Sequence, residues 1–238
     1  MALMQSNRSF LEKYLKKFSL GFIILFALFS GALFLFASIS HEVLWEQEEE
    51  LDHSVFKFLS ANVISQDLTG LMKTVTNFAS ETFLQIAYGI LALVYLFKKN
   101  WKRALEIVAI GVGGSVINYF MKLSFRRPRP PHPLVDGLEN FSFPSGHATS
   151  AFIFYGLLAY LVWKTSMRKS YKYIIGFTFL AFALLIGFSR VYLRVHYPTD
   201  VMAGFCVGFA WLLLTGWLFE RLKKNNGAGN RNGREQTS

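Results

Sequence analysis

The chain of 238 residues predicts an all-α integral membrane protein, and three observations carry that prediction. Hydrophobic residues make up 53% of it and charged ones 17%, against about a quarter charged in an ordinary soluble domain. Apolar stretches close to the roughly 20 residues needed to cross a bilayer recur along its length. Lys and Arg alternate in number between the segments that join those stretches. Such a composition excludes disorder as the main state. Cys206 is the only cysteine, so no disulfide can staple the chain internally.

Six spans are expected in one bundle. Leu20–Ile39 carries no charge; its length and the lack of a small-residue cleavage site identify a retained first helix rather than a signal peptide. Thr82–Phe97, Ala104–Met121, Ala148–Trp163, Tyr173–Phe188 and Val201–Phe219 follow. Glu106 and Asn118 interrupt the third span and must face a bundle interior or an interface rather than lipid. Glu106 reads as a carboxylate near a helix end, beside the Lys and Arg of the preceding loop.

Alternate connecting segments carry 17 Lys and Arg on one side and 8 on the other. The positive-inside tendency puts both termini, 1–19 and 220–238, in the cytoplasm. The formal charge of +10 is then a signal of topology, with some attraction to anionic lipid, and nucleic acid is not an expected partner. Six of the eight outward cations fall in two loops, 122–147 and 189–200. Orientation does not call for them there.

Between the first two spans, 40–81 is too long for a simple connection. Val55, Phe56, Leu59, Val63 and Ile64 recur at helical spacing, as do Leu68, Leu71, Met72 and Val75. One or two amphipathic helices lying on the outer membrane face fit this pattern, and a cap over the bundle fits it equally. The polar run from Asn225 to Ser238 reads as a disordered tail. The membrane domain is therefore 20–219.

Three stretches beside span ends stand out: Lys122–Pro130, Phe143–His147 and Ser189–Asp200. Singly, each has an ordinary reading. Basic residues after a helix anchor it at the interface, Ser145 suits an N-cap, and Pro198 with Asp200 suits a helix start. Together they hold what a phosphate monoester needs. Lys122, Arg129 and Arg190 supply cations. The N–H groups of Ser145, Gly146 and His147 can form an anion cradle at a helix start, and Gly146 permits close backbone approach. Asp200, four residues after His196, can hold one imidazole nitrogen and leave the other free to attack phosphorus. His147 suits general acid–base work.

The spacing K-x6-R-P, P-S-G-H and S-R-x5-H-x3-D resembles that of the type 2 phosphatidic acid phosphatase superfamily, the lipid phosphate phosphatases. The resemblance covers roughly Ala104–Phe219 and implies a six-helix membrane bundle. It also implies a transient phosphohistidine at His196 oriented by Asp200, His147 as acid for the leaving lipid, and Lys122, Arg129, Ser145, Gly146 and Arg190 around the phosphate. Ser189 belongs to the pattern without an assigned role. Arg126, Arg127, Arg194 and His132 lie outside it; the arginines are expected to widen the positive field or meet headgroups. The implied substrate is a lipid phosphomonoester or diphosphate in the bilayer: phosphatidylglycerophosphate, undecaprenyl diphosphate or phosphatidic acid. The bacterial branch of the family, acting from the outer face of the cell membrane, is the nearest comparison.

A zinc or two-metal site is the weaker reading. His132, His147 and His196 form no tight helical pair, Asp136, Glu139 and Asp200 are the loop carboxylates, and several arginines would repel a dication. No cofactor and no metal are expected. A lipid-phosphate flippase or binding protein is the competing function, although such a protein has no need of both His196 and Asp200. Haloperoxidases share the three motifs but are soluble, which the charge-free Leu20–Ile39 argues against.

Overall fold

The computed structural model describes residues 20–46, 50–136 and 140–235, with side chains as far as Leu222. The expected cytoplasmic segment 1–19 lies outside the described residues, as does Glu139. Eight α-helices follow in order: α1 Leu20–His41, α2 Glu50–Asn62, α3 Gln66–Asn77, α4 Glu81–Phe97, α5 Trp101–Phe125, α6 Gly146–Trp163, α7 Lys169–Tyr192 and α8 Pro198–Glu235. A π-helical turn, Glu42–Glu46, closes α1. Among the described residues there is no strand.

Five of these helices are long and apolar enough to cross a membrane on their own. The sixth expected span is α4. Its 17 residues cover about 25 Å at 1.5 Å per residue, short of a core of about 30 Å. It meets α3 at a 41° bend, and the two helices together have the length and apolarity of a sixth span. The Phe78 carbonyl at that break accepts a hydrogen bond from the Tyr155 hydroxyl at 3.0 Å, which satisfies a group that the bend removes from the helix ladder. Most helices outrun their apolar windows. The helix α8 runs from Pro198 to Glu235.

Helix α6 sits at the centre, against α5, α7 and α8; α1 leans on α8, and α4 on α5. Lipid tails are as apolar as side chains, so close packing rather than water exclusion joins these helices. The glycines of α5 show it. Gly111 faces the ring of Tyr88, while Gly113 and Gly114 face Trp211 and Ile153. A Cβ at Gly113 would lie 2.4 Å from the Trp211 ring, whose indole N–H donates to the Ile110 carbonyl at 2.8 Å. This small-residue stretch therefore packs within one bundle. Glu106 is buried and paired with Arg103 at 2.7 Å, and Asn118 is buried against Thr149.

Within 40–81, the described helices α2 and α3 pack over one end of the bundle. Phe56 and Leu59 of α2 pack with Ala148, Val191, Tyr197 and Val201, and Met72 of α3 packs with Tyr192, Leu193 and Val195. Phe56, Leu59, Met72 and Val75 are buried against the bundle, while Phe58 and Leu71 stay exposed.

Candidate active site

Backbone hydrogen bonds between distant stretches assemble the site. Ser142 N–H donates to the Arg127 carbonyl at 2.8 Å, Leu134 N–H to Leu193 at 2.9 Å, and Ser145 N–H to Asp200 at 3.0 Å. The loop from α7 to α8 turns sharply, with Arg194 at φ 53°, and His196 N–H returns to the Arg190 carbonyl at 3.3 Å. Leu193 and Val195 are fully buried beside it. Hence the ends of α5 and α7 and the starts of α6 and α8 meet at one end of the bundle.

His196 is 1% exposed. Its Nδ1 faces Asp200 Oδ2 at 3.4 Å, and its Nε2 faces Arg129 Nη1 at 3.3 Å. A nitrogen facing a guanidinium presents its lone pair, and one facing a carboxylate carries the proton. The neighbours thus select the tautomer with Nε2 free to attack. Burial, then Arg190, Arg129 and Lys122, push the imidazole pKa well below its usual 6.5. The ring is neutral at pH 7.

The three expected cations converge here. Lys122 donates to the Phe141 carbonyl at 2.6 Å. Arg129 donates from Nε to the Asn140 carbonyl at 2.8 Å and from Nη1 to the Val195 carbonyl at 2.5 Å, and its Nη2 meets the Asn140 side chain. Burial lowers its pKa, partly offset by Asp200. Arg190 is buried, gives Nη1 to Thr76 Oγ1 at 2.7 Å, and keeps a buried Nε with no hydrogen-bond partner. His147, in the first turn of α6, lies within the fields of Arg190, His196, Lys122 and Arg129. Such a cluster of like charges around a neutral imidazole is a place for a multiply charged anion.

The anion cradle needs one correction. Ser145 N–H is committed to the Asp200 carbonyl, so Ser145 cannot offer its backbone donor to a phosphate. Its Oγ caps α6 by accepting from Ala148 N–H at 3.4 Å, which leaves the hydroxyl proton to donate. The backbone donors that remain are those of Gly146 and His147. A Cβ at Gly146 would sit 3.1 Å from Asn118 Oδ1 and 3.8 Å from the Lys122 side chain.

The model of the PAP2 superfamily matches residues 103–224. The chain belongs to the PAP2 superfamily. It is 32% identical over 162 residues to phosphatidylglycerophosphatase B of Bacillus subtilis, covering 66% of this chain and 78% of that protein. It is equally similar, at 32%, to undecaprenyl-diphosphatase BcrC of the same organism, covering 65% and 74%. Among solved structures, the transmembrane PAP2-type phosphatidylglycerolphosphate phosphatase of B. subtilis superposes with a TM-score of 0.69 at 27% identity, covering 83% of this chain and 96% of that one.

Beyond the residues of the PAP2 motifs, the site holds others that the sequence did not single out. Arg127, expected to widen the positive field or meet headgroups, is 4% exposed. Its Nη1 donates to Asp200 Oδ1 at 2.7 Å and its Nη2 to Asp52 Oδ2 at 2.9 Å. Burial works against that charge, yet Asp200 and Asp52 outweigh it and raise the guanidinium pKa above its ordinary value. Ser142 donates to Asp200 Oδ2, which also accepts from Tyr197 N–H at 2.8 Å. One signal was available for Asp52: it lies four residues before Phe56 and seven before Leu59, on the face of α2 that those residues bury. By contrast, Arg126 is exposed and caps α5 in a left-handed conformation, and His132 is exposed on its loop. Arg194 reaches Ser60 of α2 at 2.5 Å rather than the cluster.

Proposed function

We propose that this membrane lipid phosphatase removes phosphate from a lipid phosphomonoester or diphosphate through a phosphohistidine at His196. One observation carries the reading: a buried imidazole held between Asp200 and Arg129, its free Nε2 turned toward the cationic cluster. Nε2 attacks phosphorus and the P–O bond to the lipid breaks, with His147 giving its proton to the leaving oxygen. Water then attacks the phosphohistidine and passes a proton to His147. The N–P bond breaks, releasing inorganic phosphate. Lys122, Arg129, Arg190, the Ser145 hydroxyl and the N–H groups of Gly146 and His147 stabilise the charge that builds on the equatorial oxygens.

The names of the relatives point to phosphatidylglycerophosphate and undecaprenyl diphosphate as substrates to try first. The headgroup enters the polar cup while the apolar chain stays among the helices. The surplus of Lys and Arg on the opposite side of the membrane supports cytoplasmic termini and a site on the outer face.

The test is phosphate release from phosphatidylglycerophosphate, undecaprenyl diphosphate and phosphatidic acid by protein purified in detergent. His196→Ala is expected to lose at least about 1000-fold in kcat/KM. Activity is expected to persist under excess chelator. The proposal fails if wild type releases phosphate from none of the three, or if the alanine variant works as well as wild type. Loss under chelator that zinc restores would overturn the metal-independent reaction.

A further inference from the structure

Asp52 of α2 is fully buried, in the cap rather than in any of the three motifs, and it is bound wholly to groups beside His196. Oδ2 accepts from Arg127 Nη2 at 2.9 Å and from the Thr199 hydroxyl at 2.7 Å, while Oδ1 accepts from Thr199 N–H at 3.0 Å. Arg127 in turn gives Nη1 to both the Thr199 hydroxyl, at 2.9 Å, and Asp200 Oδ1, at 2.7 Å. Its guanidinium lies 3.8 Å from the centre of the Tyr197 ring. An unbroken chain of charged hydrogen bonds thus runs from the cap to the carboxylate that faces the nucleophile.

Holding α2 in place does not rest on that chain alone. Phe56 and Leu59 already dock the helix on Tyr197 and Val201, and a buried ion pair adds little to stability once its desolvation is counted. What it does is geometric. A carboxylate can turn about its own axis. With Oδ1 held by Arg127, Asp200 has only Oδ2 to offer to Nδ1 of His196.

We infer that Asp52 and Arg127 are positioning residues for the phosphoryl transfer: Asp52 fixes Arg127, and Arg127 fixes Asp200 with Oδ2 toward His196. This rests on the function proposed above. The cap is then part of the catalytic apparatus. The charged and titratable groups that face His196 are Lys122 of α5, Arg129 of the following loop, His147 of α6, Arg190 of α7 and Asp200 of α8. Asp52 and Arg127 act on it through the last of these.

Kinetics of Asp52→Asn, Arg127→Gln and the double variant on phosphatidylglycerophosphate between about pH 5 and 8.5 test the inference, with His196→Ala beside them. Loss of alignment is expected to lower kcat by about 10- to 100-fold with KM little changed, since none of the phosphate-binding groups is touched. The double variant is expected to lose less than the product of the two single losses. Removing the negative charge of Asp52 leaves the site more positive and moves the acid limb of kcat/KM to lower pH. Removing the positive charge of Arg127 moves it to higher pH. A merely structural role lowers thermal stability and the active fraction without moving either limb, and that result overturns the inference. So does a wild-type kcat in Asp52→Asn while His196→Ala is dead. An active His196→Ala instead overturns the reading on which the inference rests. If Asp52→Asn does not fold, Thr199→Val removes the shared hydroxyl while keeping both charges. A lowered kcat at constant KM supports the inference, and an unchanged kcat contradicts it.

Discussion

His196 shows how a single residue is prepared by what surrounds it. Nothing about an imidazole makes it a nucleophile for phosphorus in water at neutral pH with a defined tautomer; burial and three nearby cations keep it neutral, and Asp200 with Arg129 sets which nitrogen is free. That preparation has a cost in stability with a definite sign. Because the folded pKa lies well below 6.5, the unfolded chain binds a proton that the folded one refuses as pH falls through 6.5. Stability is therefore full above that pH and declines below it, by up to about 1.4 kcal/mol per pH unit for this group. Thermal unfolding in detergent between about pH 7 and pH 5 is expected to show a steeper fall in Tm for wild type than for His196→Gln; equal slopes would contradict the assigned burial of a neutral ring. At this scale the motif residues were legible because their chemistry and spacing are local in sequence. Arg127 was not, since a guanidinium among prolines and other arginines reads as surface until Asp52, 75 residues away, supplies its second carboxylate. Ser145 was half legible: its role as the cap of α6 follows from its place before a helix, but the loss of its N–H to Asp200 is a tertiary event.

Helix starts and close approaches set those residues in place. The second turn of α8 is pressed against the start of α6 at Gly204, where a Cβ would come within 2.8 Å of the Ser145 carbonyl, 3.1 Å of Thr149 Oγ1 and 3.2 Å of the Ala148 Cβ. A backbone carbonyl cannot move aside as the tip of a side chain can. Gly204→Ala is therefore expected to push the two helix starts apart, lowering stability by about 1–3 kcal/mol and phosphate release with it. Gly216→Ala, lower on the same helix with no described residue within 4 Å, is expected to leave both unchanged. Unfolding curves and activity for the pair decide this, and equal behaviour would mean that the contact at Gly204 is not what aligns Ser145 with Asp200. The helices themselves were largely readable, because a span announces itself by length and apolarity. The 41° bend between α3 and α4 was not, since helical spacing that ends at Val75 and resumes at Thr82 marks two helices but not the angle between them. The docking of α2 was open as well: helical spacing of Phe56 and Leu59 says that one face is buried, but not whether lipid or the tops of α6, α7 and α8 bury it.

For the whole molecule, the bundle turns three stretches separated by tens of residues into one site, since antiparallel helices bring the end of α5, the start of α6 and the junction of α7 and α8 to the same level. Four of the six unexplained cations of the sequence find their reason there: Lys122, Arg129 and Arg190 surround one imidazole, and Arg127 is spent on two buried carboxylates. The cap closes over that end and contributes Thr76 to Arg190 and Asp52 to Arg127. The central claim is that this convergence encloses a single phosphoryl group at His196. A structure of the full chain with vanadate, which adopts the trigonal-bipyramidal geometry of phosphoryl transfer, tests it most directly. Vanadium is expected to bond to His196 Nε2, with its equatorial oxygens met by Lys122, Arg129, Arg190 and the N–H groups of Gly146 and His147. Vanadate bound away from His196, or held through His147 with Asp200 unengaged, would contradict it.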